Sequence, residues 1–183
     1  MHIREAVVTD AAGIARVSID TWRATYQGIM PDTVLQGLSY KTREERAAGY
    51  LVASAPGSVH LVAEARENGI VGFVDGGPER SGAYPFDAEI YAIYVLPHAQ
   101  GQGLGKRLFL TTTERLQQNG FASLMLWAAA ANPARGFYRA CGGIFVDSKH
   151  VQIDGVTIEE VAYGWTDIAT VGDRSHTRPD SAG

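Results

Sequence analysis

The stretch from Glu89 to Arg107 constrains this chain more than any other. A β-branched and aromatic run ends at Leu96-Pro97, and a short polar loop follows. Gln100-Gly101-Gln102-Gly103-Leu104-Gly105 then opens a helix-forming sequence that begins with Lys106 and Arg107. A strand feeding a glycine-rich turn at a helix N-terminus makes an anion site. Unpaired N–H groups point out of the turn, and the helix dipole adds positive potential. Three glycines in five residues exceed what a tight connection needs, and glycine lets the backbone approach a ligand closely. The expectation is a ligand that carries phosphate.

Two common phosphate loops fail on spacing. A nucleoside-triphosphate loop needs a glycine five residues before Gly-Lys and a Ser or Thr after it. Here the first position is Gln100 and the last is Arg107. A dinucleotide fingerprint counted from Gly101 needs its third glycine at position 106, which is Lys106, and belongs in a first β-α unit rather than beyond the chain's midpoint.

The remaining elements follow from periodicity and punctuation. His2 to Val8 alternates as a strand, and Asp10 reads as the cap of a helix to about Asp20. Trp22 to Pro31 is an aromatic segment broken by Gly28 and Pro31, and Asp32 opens a short helix through Leu38. Thr42-Arg43-Glu44-Glu45 fits a capping box for a helix towards Ala53. Ser58 to Arg66 and Ile70 to Asp75 are strands joined by the hairpin signal Asn68-Gly69, and Gly76 to Asp87 is a long loop. After the strand Glu89 to Val95, the helix runs to about Gln118, and Asn119-Gly120 stops it. Ala122 to Ala128 is a strand, Asn132-Pro133 starts a helix that ends at Gly142-Gly143, and Ile144 to Ile153 with Val156 to Trp165 forms a hairpin across Asp154-Gly155. This order predicts an α/β domain with a mixed sheet, built from hairpins and one β-α-β crossover. The tail from Asp173 is polar and aperiodic. The expected division is a domain over 1–168 and a disordered polar tail over 169–183.

At 183 residues the chain can bury one sizeable core. A net charge of −4 argues against a nucleic-acid partner. One cysteine, Cys141, excludes an internal disulfide. No run approaches the roughly 18 apolar residues of a membrane span, and the N-terminus has no signal-peptide pattern. The five histidines show no metal-ligand spacing, so no metal is expected. Cytoplasmic residence is the default expectation.

Q-x-x-G-x-G after a strand and opening a helix resembles the coenzyme A pyrophosphate loop of the GNAT superfamily of N-acetyltransferases, with Gln100, Gly103 and Gly105 at the matching positions. Asn132-Pro133, Phe137-Tyr138 and Cys141-Gly142-Gly143 resemble that superfamily's second cofactor segment, and the element order from His2 to Trp165 is similar to its fold. The resemblance implies the GNAT acyl-CoA N-acyltransferase fold: a mixed, mostly antiparallel twisted sheet flanked by helices and splayed between its fourth and fifth strands. It implies acetyl-CoA as cosubstrate, with the pantetheine arm against the backbone of Ile93, Tyr94 and Val95. The pyrophosphate would rest on the N–H groups of Gln100, Gly101, Gln102, Gly103, Leu104, Gly105 and Lys106. Asn132, Ala134, Phe137 and Tyr138 would meet the cofactor from the second segment.

The same resemblance implies acetyl transfer to a primary amine of a small molecule or peptide, by direct attack in a ternary complex. Tyr138 is the expected general acid, since a phenol with a pKa of about 10 is protonated at neutral pH; it also reads as a tyrosine packed beside Phe137. Glu89 is the expected base, directly or through a water, and reads equally as a solvated strand-end carboxylate. Period two places Glu89, Tyr91, Ile93 and Val95 on one face. Trp22, Tyr26 and Tyr91 are expected to wall the acceptor site, against core packing for Trp22 and Tyr26 at i, i+4. An acyl-CoA-binding sensor on the same fold is the rival from another class. Pairing of two copies through the last hairpin is a further expectation.

Overall fold

A computed structural model describes residues 1–153 and 155–172. Seven strands form one sheet in the order β1-β2-β3-β4-β5-β7-β6: β1 (His2–Glu5), β2 (Val59–Ala65), β3 (Gly69–Pro78), β4 (Ala88–Val95), β5 (Leu124–Ala129), β6 (Ile144–Ile153) and β7 (Val156–Trp165). All neighbours are antiparallel except β4 and β5. The helices are α1 (Ala11–Tyr26), α2 (Asp32–Gly37), α3 (Tyr40–Val52), α4 (Leu104–Gln118) and α5 (Arg135–Ala140). The α4 helix is the crossover between the two parallel strands. Its Leu108, Phe109 and Leu116 are fully buried with Val71, Val74 and Leu124 of the sheet.

Several boundaries differ from the sequence reading. Asp10 is the N-cap residue of α1, as expected, but its side chain makes no capping bond to the helix; its carboxylate accepts two hydrogen bonds from Arg4, at 2.7 and 2.9 Å, and one from Val7 N–H at 2.9 Å. The α1 helix runs on to Tyr26 because nothing breaks it before Gly28, which takes the left-handed φ of 74°. Trp22 and Tyr26, one turn apart, thus project from a helix towards the sheet. Ser39, not Thr42, caps α3, accepting from Thr42 N–H at 3.3 Å. Strand β3 continues to Pro78, which shortens the following loop to 79–87. Of the expected tail, Val171 packs on the core and Gly172 N–H donates to Cys141 O at 3.2 Å; residues 173–183 and Asp154 lie outside the described residues.

Two features of β4 position the site. First, β4 pairs with β5 only over Ala88↔Leu124, Glu89↔Met125 and Ile90↔Leu126. Beyond Ile90 the first strand stays with β3 and the second with β7, so a wedge opens between them. The closed end is clamped: the Asp87 carboxylate accepts from the N–H groups of Ala122 and Ser123 at 2.9 and 3.2 Å, and Asp87 N–H donates to the Ser123 hydroxyl at 2.8 Å.

Second, β4 carries a bulge. The register with β3 runs Asp75↔Ala92 and then Gly76↔Ile90, leaving Tyr91 unpaired. A bulge shifts the phase of the alternation. Val95 lies on the α4 face, near Gly105, and so does Ile90, which packs at Gly76 beside Leu116. Positions five apart share a face only because of the extra residue. Glu89 therefore falls on the opposite face, that of Tyr94 and α1, which corrects the period-two grouping of Glu89 with Ile93 and Val95.

Candidate active site

Leu96 N–H bonds Val71 O at 2.9 Å, so Leu96 and Val71 form a hydrogen-bonded antiparallel pair. Alternation makes Tyr94↔Phe73 hydrogen-bonded as well, and Val95↔Gly72 and Ile93↔Val74 non-hydrogen-bonded. The N–H and C=O groups of Ile93 and Val95 consequently point into the wedge. Val95 O is taken by Gln100 Nε2 at 2.8 Å and the Thr21 hydroxyl at 3.3 Å. Tyr94 keeps its backbone in the β3 ladder and offers its side chain instead, accepting from Trp22 Nε1 at 2.9 Å.

The turn after β4 is built as an anion cradle. Gly101 and Gly103 hold left-handed φ values of 73° and 75°, which turn successive N–H groups outward. Gly103 is the N-cap of α4 and supplies no side-chain cap. Between Gly101 and Lys106 no backbone N–H has a hydrogen-bond partner among the described residues; Arg107 is the first, donating to Gly103 O at 3.0 Å. Leu104 is buried, so only its backbone faces the cradle. The Gln102 amide turns back to His98 O at 3.3 Å.

Two cavities open from the wedge. One, of about 310 Å³, is lined by Ile93, Tyr94, Val95, Gln100, Asn132, Ala134, Phe137 and Tyr138, together with Thr21 and Tyr26 of α1. The other, of about 160 Å³, is walled by Trp22, Tyr26, Glu89 and Tyr91. Tyr26, Ile93, Tyr94, Asn132 and Tyr138 line both, so the two meet at these residues. Asn132 Oδ1 accepts from Ala134 N–H at 2.9 Å, which turns the chain into α5 and leaves Nδ2 as the side chain's unused donor atom among the described residues. Phe137 packs edge-on to Phe109 at 5.6 Å.

Tyr138 is 5% exposed, and its hydroxyl makes no hydrogen bond among the described residues. Burial pushes its phenol well above the ordinary value, with Tyr94 and Tyr26 adding to the shift. The same cause pushes Tyr26 up to about 12. Glu89 is 3% exposed, and both its oxygens are held by Arg80, at 2.9 Å from Nε and 2.5 Å from Nη2. That ion pair in turn raises the guanidinium's pKa. Cys141 is a buried free thiol, pushed up by burial. Arg135 is engaged structurally, with Ala130 O at 2.7 Å and the Tyr163 hydroxyl at 3.2 Å.

Among the cavity residues that escaped the sequence reading are Arg80, Trp127, Lys149 and Glu160. Arg80 comes from the loop after β3. Lys149 and Glu160 are partners across the β6–β7 ladder, with Nζ 3.8 Å from Oε2. A signal was present for Glu160. Val156, Ile158, Glu160, Ala162 and Gly164 share one face by period two, and Glu160 is the charged exception. Among the described residues no group of three or more His, Cys, Asp or Glu side chains is placed to hold a metal, and no helix is long and apolar enough to cross a membrane.

The wedge between parallel strands and the glycine cradle beside it define the class as the GNAT acyl-CoA N-acyltransferase fold. The acetyltransferase (GNAT) family matches residues 19–143, and the chain belongs to that family. It is 37% identical over 169 residues to the uncharacterized N-acetyltransferase YuaI of Bacillus subtilis (strain 168), covering 92% of this chain and 95% of that one. Among solved structures it is similar to a phosphinothricin acetyltransferase from Sinorhizobium meliloti in complex with acetyl-CoA, with a TM-score of 0.66, 22% identity, and coverage of 97% and 92% of the two chains. It is also similar to the PaiA N-acetyltransferase of Thermoplasma acidophilum in complex with coenzyme A, with a TM-score of 0.66, 20% identity, and coverage of 87% and 96%.

Proposed function

We propose that this chain moves an acetyl group from acetyl-CoA to a primary amine by direct attack in a ternary complex. One observation carries the reading. The backbone of Ile93 and Val95, without a strand partner on the wedge side, runs between the glycine cradle and a cavity for the acceptor, and Tyr138 lines both cavities. Acetyl-CoA supplies the thioester carbon and the thiol leaving group.

The chain's own groups supply the rest. The Gly101–Lys106 N–H groups and the α4 dipole hold the pyrophosphate. Ile93 and Val95 hold the pantetheine arm as a neighbouring strand would, and the Asn132 amide meets it from the other side. Tyr138 donates its proton to sulfur as the C–S bond breaks, for which its protonated state is the useful one. Glu89 takes the amine's proton through a water: a carboxylate offers about four lone-pair sites, and Arg80 fills three, two through its guanidinium and one through its backbone N–H at 3.4 Å. Trp22, Tyr26 and Tyr91 wall the acceptor.

The test is a panel of amines with acetyl-CoA and the purified chain, reading free thiol: amino acids, polyamines, aminoglycosides and peptide N-termini. Acceptor-dependent thiol release with an acetylated product supports transfer. Saturable acetyl-CoA binding without release for any acceptor replaces it with a sensor function.

A further inference from the structure

The acceptor cavity is lined by two cation–carboxylate pairs, Arg80 with Glu89 and Lys149 with Glu160. Neither cation is satisfied by its partner. Arg80 uses Nε and one Nη2 hydrogen on Glu89, and Nη1 has no partner among the described residues. Its side chain is 60% exposed, yet it is held in place, lying 4.4 Å over the Tyr91 ring. Lys149 stands 3.7 Å over the Trp127 ring, and its 3.8 Å approach to Glu160 is too long for a hydrogen bond. The Glu160 carboxylate accepts no hydrogen bond among the described residues. The cavity thus offers unused cationic donors and a Glu160 carboxylate that is ion-paired but accepts no hydrogen bond among the described residues, with formal charges that cancel.

We infer that the acceptor is a small zwitterion, an amine that also carries an acid group such as a carboxylate, as in a free amino acid; this rests on the acetyl-transfer reading above. The acid group binds Arg80 Nη1 and Lys149 Nζ, and the ammonium lies by Glu160. A guanidinium already clamped by Glu89 and Tyr91 loses little side-chain freedom on taking a second anion. A polycation such as a polyamine would instead bring charge against Arg80 and Lys149 with no matching excess of carboxylate. The size agrees, since about 160 Å³ is close to the roughly 150 Å³ that holds a benzene-sized molecule.

The test uses the full chain, acetyl-CoA and matched acceptors: phenylalanine, its methyl ester and phenethylamine; leucine, its methyl ester and isoamylamine. Charge-assisted hydrogen bonds to the acid group predict kcat/KM about 10- to 100-fold higher for at least one free amino acid than for its ester and its amine. In R80Q and in K149Q, each checked for wild-type folding by circular dichroism, that ratio falls towards one; in K149Q the change is mostly in the acceptor KM, whereas R80Q also removes the partner of Glu89 and lowers kcat for every acceptor alike. Equal rates across each matched set, or faster transfer to the acid-free amines, overturn the inference while leaving acetyl transfer standing. Acceptor-independent behaviour in every arm overturns both.

Discussion

Tyr138→Phe removes one hydroxyl and leaves the ring packing in place. The ring lies among Phe109, Phe137 and Tyr163, with centroids 6.2, 5.3 and 6.1 Å away, and all of those contacts survive. The lost hydroxyl breaks no hydrogen bond among the described residues, so stability should change by no more than about 0.5 kcal/mol. Activity should not be spared. Loss of a positioned general acid lowers kcat by about 10²- to 10⁴-fold, or about 3–5 kcal/mol of barrier. The acetyl-CoA KM should hold, because the cradle and the wedge are untouched.

The pH profile adds a sign. The protonated phenol is the active form, and burial raises its pKa. Tyr138 would therefore switch off only as pH rises through that raised value, and the wild-type kcat should show no basic limb from Tyr138 below about pH 10. Stopped thiol-release assays across pH, paired with thermal unfolding, measure both parts. A variant with wild-type kcat refutes the acid role. A large fall in unfolding temperature would assign the residue to packing.

Glu89→Gln keeps the shape of the Arg80 contact and removes the base; kcat should fall at least about 100-fold with acetyl-CoA binding intact, as read by steady-state kinetics and calorimetry. Gly103→Ala adds a methyl into open space but forces a left-handed φ on a residue with a Cβ. It should cost about 1–2 kcal/mol in thermal or denaturant unfolding and raise the acetyl-CoA KM. Arg4 holds the Asp10 carboxyl below its ordinary pKa, so this pair stabilises the fold above the unfolded value of about 3.9 and loses that contribution as pH falls through the folded value. Asp10→Asn should cost about 2 kcal/mol at pH 7 and flatten the acid limb of stability in urea titrations from pH 7 to 3.

Local chemistry explains what the sequence made legible. The strand, the left-handed glycines and the start of α4 lie within 19 consecutive residues, and each step obeys a short-range rule. The hairpin signalled by Asn68-Gly69 also forms, though with a three-residue loop over 66–68: Gly69, at a left-handed φ of 62°, already pairs with Ala65 as the first residue of β3. Long-range register was hidden. The bulge at Tyr91 arises from pairing with β3, and it alone moves Glu89 to the face of Tyr94. Arg80 reaches Glu89 from a loop, and Lys149 meets Glu160 only through the β6–β7 ladder, so neither pair is visible to periodicity. The last turn of α1 is hard to see in the sequence because Trp22, Thr25 and Tyr26 are modest helix formers, which packing holds helical.

Amide hydrogen exchange with and without acetyl-CoA tests the central claim most directly. The wedge and the cradle expose N–H groups that only a ligand would pair. Acetyl-CoA should therefore slow exchange at Ile93 and Val95 and across Gly101–Lys106, while Tyr94, already in the β3 ladder, changes little. Unchanged exchange at Ile93, Val95 and the glycine turn under saturating acetyl-CoA would contradict it.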